Sequence, residues 1–343
     1  MVLLFDRNWE KSELTRRVGN MDQLAGIRLS ELIDGKGRGC RVFDVWTGTG
    51  LRFQVNADRA LDISGCDFKG TPIAWRFEAG DVNPAFFEPQ GLGWLRSFSG
   101  GLLVTCGLDQ FGSPGLDEGS ELGLHGRVSN IPATQVCYRT FWREEEYILE
   151  ITGEIRQSSL FGENIVLNRS ITTSLGSNKI VIEDSVTNES FQISPHMILY
   201  HFNIGFPVVD ENTKLQFTSR RTIARDSNAQ IGLNEWNRFH SPEPGYKEQV
   251  FIHCPESDDN GTAQIDLINT QIGLGLRWSY KTVNLPFLME WKMMGEGAYV
   301  VGVEPANCNG LGGRNATRVQ GQLPVLQPGE NRKYHLELDV IGT

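Results

Sequence analysis

From about residue 40 onward the chain alternates apolar and polar side chains over short runs, each closed by a cluster of Gly, Pro, Asn or Asp. A period of two is the signature of a strand with one dry and one wet face. Tyr147, Leu149, Ile151 and Ile155 alternate with Glu150, Thr152 and Glu154, and Tyr334, Leu336, Leu338 and Val340 alternate with His335, Glu337 and Asp339. Similar runs at 40–46, 51–56, 135–142, 164–173, 179–187, 263–269, 273–279 and 298–304 bring the expectation to more than ten strands. Residues 8–18 are the one fair helix candidate, so the strand-helix rhythm of a parallel α/β fold is missing. The pattern predicts an all-β protein, a large antiparallel β-sandwich, with residues 1–343 as a single domain. No linker, charge block, low-complexity tract or fixed-period repeat interrupts it.

Between residues 80 and 130 the alternation fades into Gly-, Pro- and aromatic-rich sequence such as Phe86-Phe87-Glu88-Pro89 and Gly91-Leu92-Gly93-Trp94-Leu95-Arg96. Long irregular stretches inside compact domains commonly carry function, because the scaffold positions what the loops present. A substrate cleft is expected here.

With 39% hydrophobic and 22% charged residues, eight Trp and eighteen Phe, the chain can bury a sizeable core, which excludes wholesale disorder. A net charge of −10 opposes sequence-independent binding to nucleic acid or an anionic membrane, since either needs a positive field. The apolar opening Met1–Phe5 meets Asp6 at once, too short for a signal-peptide core, and no later stretch reaches membrane-spanning length. Cys40, Cys66, Cys106, Cys137, Cys254 and Cys308 form no Cys-x-x-Cys pair. Reduced, mostly buried thiols in a soluble cytoplasmic protein are therefore expected.

The chain has no P-loop, Gly-x-Ser-x-Gly elbow, His-Glu-x-x-His or dinucleotide-binding Gly-x-Gly-x-x-Gly. What remains suits proton transfer. His125 sits between glycines in Gly123-Leu124-His125-Gly126-Arg127, where another molecule could approach it, or where it is a plain surface-turn residue. His201 lies in the strand-like run Met197-Ile198-Leu199-Tyr200-His201-Phe202-Asn203, sharing a face with Leu199 and Asn203; a satisfied core histidine is the alternative. Glu304 ends the apolar strand Tyr299-Val300-Val301-Gly302-Val303, either as a site acid or in a rim salt bridge. Arg59, in Asn56-Ala57-Asp58-Arg59-Ala60-Leu61-Asp62, could aim its fork at sugar hydroxyls or pair with Asp58 or Asp62.

Taken in order, Asn-x-Asp-Arg, Gly-Leu-His-Gly-Arg, Tyr-His-Phe-Asn and Val-Glu-Pro-Ala-Asn resemble the DUF4432-type, aldose-1-epimerase-like group of the galactose mutarotase superfamily. The resemblance spans roughly residues 45–340 and includes Trp94-Leu95-Arg96, Gly100-Gly101-Leu102, Thr105-Cys106-Gly107 and Glu290-Trp291-Lys292-Met293-Met294. It implies a sugar cleft on one concave face of a β-sandwich and no cofactor or metal. It further implies His201 as general acid and Glu304 as base, with Arg59, His125, Arg127 and Asn203 binding substrate. Aldose 1-epimerases also use an aspartate between the catalytic histidine and glutamate, and no clear counterpart stands here. Trp291, as a stacking face, and Lys292, as a cation for an acidic or phosphorylated sugar, could fill that part of the cleft, or be a core Trp beside a solvated Lys.

The expected reaction is anomer exchange in a small sugar: an ionised Glu304 takes the anomeric proton while a protonated His201 protonates the ring oxygen. The same acid-base pair could instead abstract a carbon-bound proton, as an epimerase, isomerase or lyase. A binding module stacking sugars on Trp94 and Trp291 needs no such pair. A homodimer is left open.

Overall fold

The computed structural model describes residues 1–342. Two large antiparallel sheets pack face to face. The eight-stranded sheet runs, edge to edge, through Thr134–Arg143, Glu146–Ser158, Asn164–Ser174, Lys179–Asn188, Asn331–Gly342, Leu274–Lys281, Thr262–Asn269 and Thr213–Gln216. The eleven-stranded sheet runs through Ser219–Ala224, Gln249–Pro255, Phe287–Met294, Tyr299–Ala306, Leu199–Gly205, Leu103–Cys106, Asp62–Phe68, Leu51–Asn56, Arg41–Trp46 and Gly26–Glu31, with Thr71–Pro72 paired to one flank. The predicted all-β sandwich is thus the observed architecture. Eight predicted runs coincide with strands to within two residues at each end.

Where alternation is clean, burial follows it. In Asn331–Gly342 the side chains of Tyr334, Leu336, Leu338 and Val340 enter the core, while His335, Glu337 and Asp339 are not buried. The middle of the large sheet behaves differently, because Leu199–Gly205 and Leu103–Cys106 are buried at every position. Tyr200, Phe202 and Ile204 face the intersheet core. Leu199 joins a second apolar cluster on the opposite face, with Trp75, Trp94, Phe98, Val104 and Met289. That cluster is the underside of the irregular 72–131 segment, so loops cover the sheet that strands leave open.

The helix predicted at 8–18 shrinks to Lys11–Thr15. Arg7–Trp9 pairs as a strand with Val2–Leu4, and a Glu10/Glu13 capping box starts the helix only after it. Two other short helices, Ser227–Gly232 and Gly313–Val319, complete the α content. Among the described residues no helix is long and apolar enough to cross a membrane.

A buried ion cluster joins the layers. Arg169, on the eight-stranded sheet, is 2% exposed. Its guanidinium donates to Asp184 on the neighbouring strand at 2.7 and 2.9 Å, and across the sandwich to Asp62 at 2.9 Å, the Ala60 carbonyl at 3.1 Å and the Thr105 hydroxyl at 2.9 Å. Tyr200 donates its hydroxyl to Asp184 at 2.7 Å. Burial opposes charge on the arginine, but the two carboxylates outweigh it and hold its pKa above the ordinary value. Removing one member of such a cluster strands the others, so Arg169→Met should cost about 3–5 kcal/mol in urea unfolding. A loss under 1 kcal/mol would show that the cluster is dispensable.

Candidate active site

Strand alternation carries the site. Tyr200 points down to the ion cluster, which turns its neighbour His201 up to the opposite face. On the adjacent antiparallel strand Phe202 pairs with Val303 and Asn203 with Gly302, and the same register sets His201 opposite Glu304. His201 Nε2 and Glu304 Oε1 lie 3.2 Å apart. His201 Nδ1 and Glu304 Oε1 are buried without a hydrogen-bond partner, so the pair touches without aligned donation. Gly302 is part of the same device: a Cβ there would collide with the Glu304 carboxyl and meet Trp291 Cβ at 2.9 Å.

Aromatic rings wall the pair in. The rings of Phe98, Trp291 and His125 stand 5.5, 5.6 and 5.8 Å from His201, and Trp94 lies 4.7 Å from His125. Together with Trp75, Phe77, Met293, Leu124 and Leu311 they enclose a cleft of about 610 Å³ that holds both His201 and Glu304. Arg225 and Glu248 stand on its wall.

His125 reaches the cleft from the irregular segment, as the loop pattern predicts. Its backbone is left-handed, at φ 57°, and its amide and carbonyl bond to Gly112 and Gly107. The adjacent Gly126, at φ 76°, has carbonyls of Gln110 and Gly107 where a Cβ would sit. The flanking glycine therefore admits the protein's own backbone rather than another molecule. Nδ1 of His125 is buried and unpaired.

Four expected substrate contacts are corrected. Arg59 does not face the cleft; it is buried and donates to the carbonyls of Ser129, Val82 at 2.9 Å and Ser97 at 3.0 Å, stapling the loop layer to the sheet. Its predicted partners are engaged elsewhere, Asp58 with Arg41 and Asp62 with Arg169. Arg127 pairs with Glu163 in a separate depression. Asn203 shares the His201 face but is fully covered, and its amide donates to the carbonyls of Gly101 and His201 at 3.1 and 2.9 Å. Lys292 alternates to the other side from Trp291, donating to the Glu235 carbonyl at 3.0 Å. Trp291 does line the cleft, and its indole N–H bonds to Glu248 at 2.8 Å.

Electrostatics oppose the charged pair that the sequence suggested. Burial pushes the Glu304 carboxyl well above the ordinary range, with Glu248 adding to the rise and Arg225 partly offsetting it. Burial, then neighbouring His125, pushes His201 well below its ordinary value. Before a ligand binds, the favoured state is a protonated Glu304 beside a neutral His201. Among the described residues no group of three or more His, Cys, Asp or Glu is placed to hold a metal ion.

The family described as "Domain of unknown function (DUF4432)" matches residues 37–340. A "putative aldose 1-epimerase" from Klebsiella pneumoniae superposes with a TM-score of 0.87 at 26% identity, over 94% of this chain and 86% of that one. A galactose mutarotase-like protein from Clostridium acetobutylicum gives 0.67 at 14% identity, over 94% and 100%. A galactose 1-epimerase from Lactobacillus acidophilus gives 0.58 at 13%, over 93% and 99%; the last two likenesses establish fold alone. No curated protein sequence matches the chain.

The buried histidines make a pH prediction. His125 and His196 are both lowered to about 4 by burial. Between pH 6.5 and 4 the unfolded chain binds protons there that the folded chain does not, so stability falls as pH falls through this window. Each group contributes up to about 1.4 kcal/mol per pH unit. In urea unfolding across that range, His125→Asn should reduce the slope by about one proton; an unchanged slope would place the His125 ring in solvent.

Proposed function

This chain belongs to the DUF4432 family, and from that premise we propose that it is a sugar-acting enzyme that exchanges the anomers of a reducing sugar by opening and reclosing the ring. The observation that carries the reading is the His201–Glu304 contact of 3.2 Å on the floor of an aromatic cleft. The likeness to the Klebsiella protein adds to it.

Opening the C1–O5 bond takes one proton from the anomeric hydroxyl and gives one to the ring oxygen. The pair holds a single proton in either of two forms, on the carboxyl beside a neutral imidazole or on the imidazole beside a carboxylate. Burial favours the first before binding. Sugar hydroxyls donating to the carboxylate favour the second, reached by moving the proton across the contact. Glu304 then takes the anomeric proton while His201 protonates the ring oxygen, which returns the pair to its first form beside the open-chain aldehyde. Rotation about C1–C2 and the reverse transfers yield the other anomer. The unpaired Nδ1 of His125 is free to bond a sugar hydroxyl, and Trp291 and Trp94 offer faces to its C–H edges.

Glu304→Gln should lower catalysed anomer exchange, followed by magnetisation-transfer NMR, by about 10²–10⁴-fold with the fold intact. Retained exchange removes the assignment, and solvent deuterium appearing at a carbon would move the reaction to carbon-acid chemistry. Gly302→Ala leaves both groups present but displaces the carboxyl, so kcat should fall about 10²-fold, as expected for misplacement by an ångström.

A further inference from the structure

Arg225 is the one Lys or Arg lining the cleft among the described residues, so an acidic or phosphorylated sugar would have to bind there. It is already occupied. Its Nε donates to Asp226 at 2.8 Å and its Nη1 to Glu248 at 2.9 Å. Asp226 is fixed in turn, because its carboxylate caps the helix Ser227–Gly232 by accepting from the amides of Asn228 and Ala229. Glu248 is fixed by the indole N–H of Trp291. One guanidinium thus faces two carboxylates, Glu248 on the cleft wall and Asp226 beside it, so its charge is compensated before any ligand arrives. Arg59, Arg127 and Lys292 are held elsewhere, as described above.

We propose that Glu248 is a specificity-determining residue which, by holding Arg225, closes the cleft to phosphorylated and acidic sugars and leaves it open to uncharged ones. The inference rests on the sugar-binding part of the reading above. An incoming phosphate or carboxylate meets the Glu248 carboxylate beside an arginine that is already paired, and at this solvent-exposed wall the like charge lowers its affinity. An uncharged sugar avoids that cost. It can lay C–H faces on Trp291 and Trp94 while its hydroxyls donate to the lone pairs that Arg225 and Trp291 leave on the exposed Glu248 carboxylate.

The test is a binding panel read by tryptophan fluorescence, with glucose, galactose and mannose beside their 6-phosphates and uronates, and anomer exchange measured on the same samples. Wild-type protein should favour an uncharged sugar over its charged partners. Glu248→Gln keeps an acceptor for the Trp291 indole but removes the charge, and should shift the ratio of charged to uncharged affinity upward by about tenfold. Adding Arg225→Leu should abolish that gain, which a merely structural role for Glu248 would not produce. A wild-type preference for a phosphorylated or acidic sugar, or an unmoved ratio in the variant, overturns the proposal; the wild-type order decides even where the variants fail to fold. The expected charge order without anomer exchange overturns the reaction and leaves the proposal standing. Binding of no member overturns both.

Discussion

The structure depends on a guanidinium that water does not reach. Arg169 satisfies two carboxylates, a carbonyl and a hydroxyl drawn from both sheets, so the layers are tied by directional bonds as well as apolar contact. Apolar burial tolerates sliding, because it depends on area more than on angle. A forked donor shared by Asp62 and Asp184 does not, and it sets the stagger of the sheets near the strand that bears His201.

The link to the cleft is one residue long. Tyr200 joins the ion cluster from the strand that bears His201, and period-two geometry converts that anchor into the opposite aim of the imidazole. Glu304 inherits its place from the register with that strand, and the space for its carboxyl from Gly302. The result is an acid and a base in contact where burial disfavours charge on both. A single shared proton is the economical state of such a pair, and moving it between partners changes local charge without bringing ions in from solvent.

Much of this was legible in the sequence where one face of a strand meets water. Tyr334 to Val340 declared their orientation because His335, Glu337 and Asp339 remain polar. The central strands were harder. Leu103–Cys106 shows no alternation of burial, since loops bury its second face, and a run that is buried throughout does not reveal which side bears the site. Motif order singled out His201, Glu304, His125 and Trp291, all of which meet in the cleft. It misplaced Arg59 because an arginine beside Asp58 and Asp62 reads as polar turn chemistry, whereas its actual acceptors are carbonyls of residues 82, 97 and 129, far along the chain. Lys292 was separable from Trp291 by parity alone, since neighbours on a strand face opposite ways. Arg225 and Glu248 carried no signal, because they become neighbours only through the pairing of Ser219–Ala224 with Gln249–Pro255.

The cover contributed by residues 72–131 packs through Trp75, Trp94 and Phe98 and is also held through main-chain carbonyls, those accepting from Arg59 and those crowding Gly126. Main-chain bonds do not depend on which side chain a position bears. Leu92, Leu95 and Leu124, which line the cleft from that cover, can therefore be replaced without loosening those main-chain bonds. The lining that the lid presents is thus mechanically separable from the main-chain bonds that help to hold the lid down.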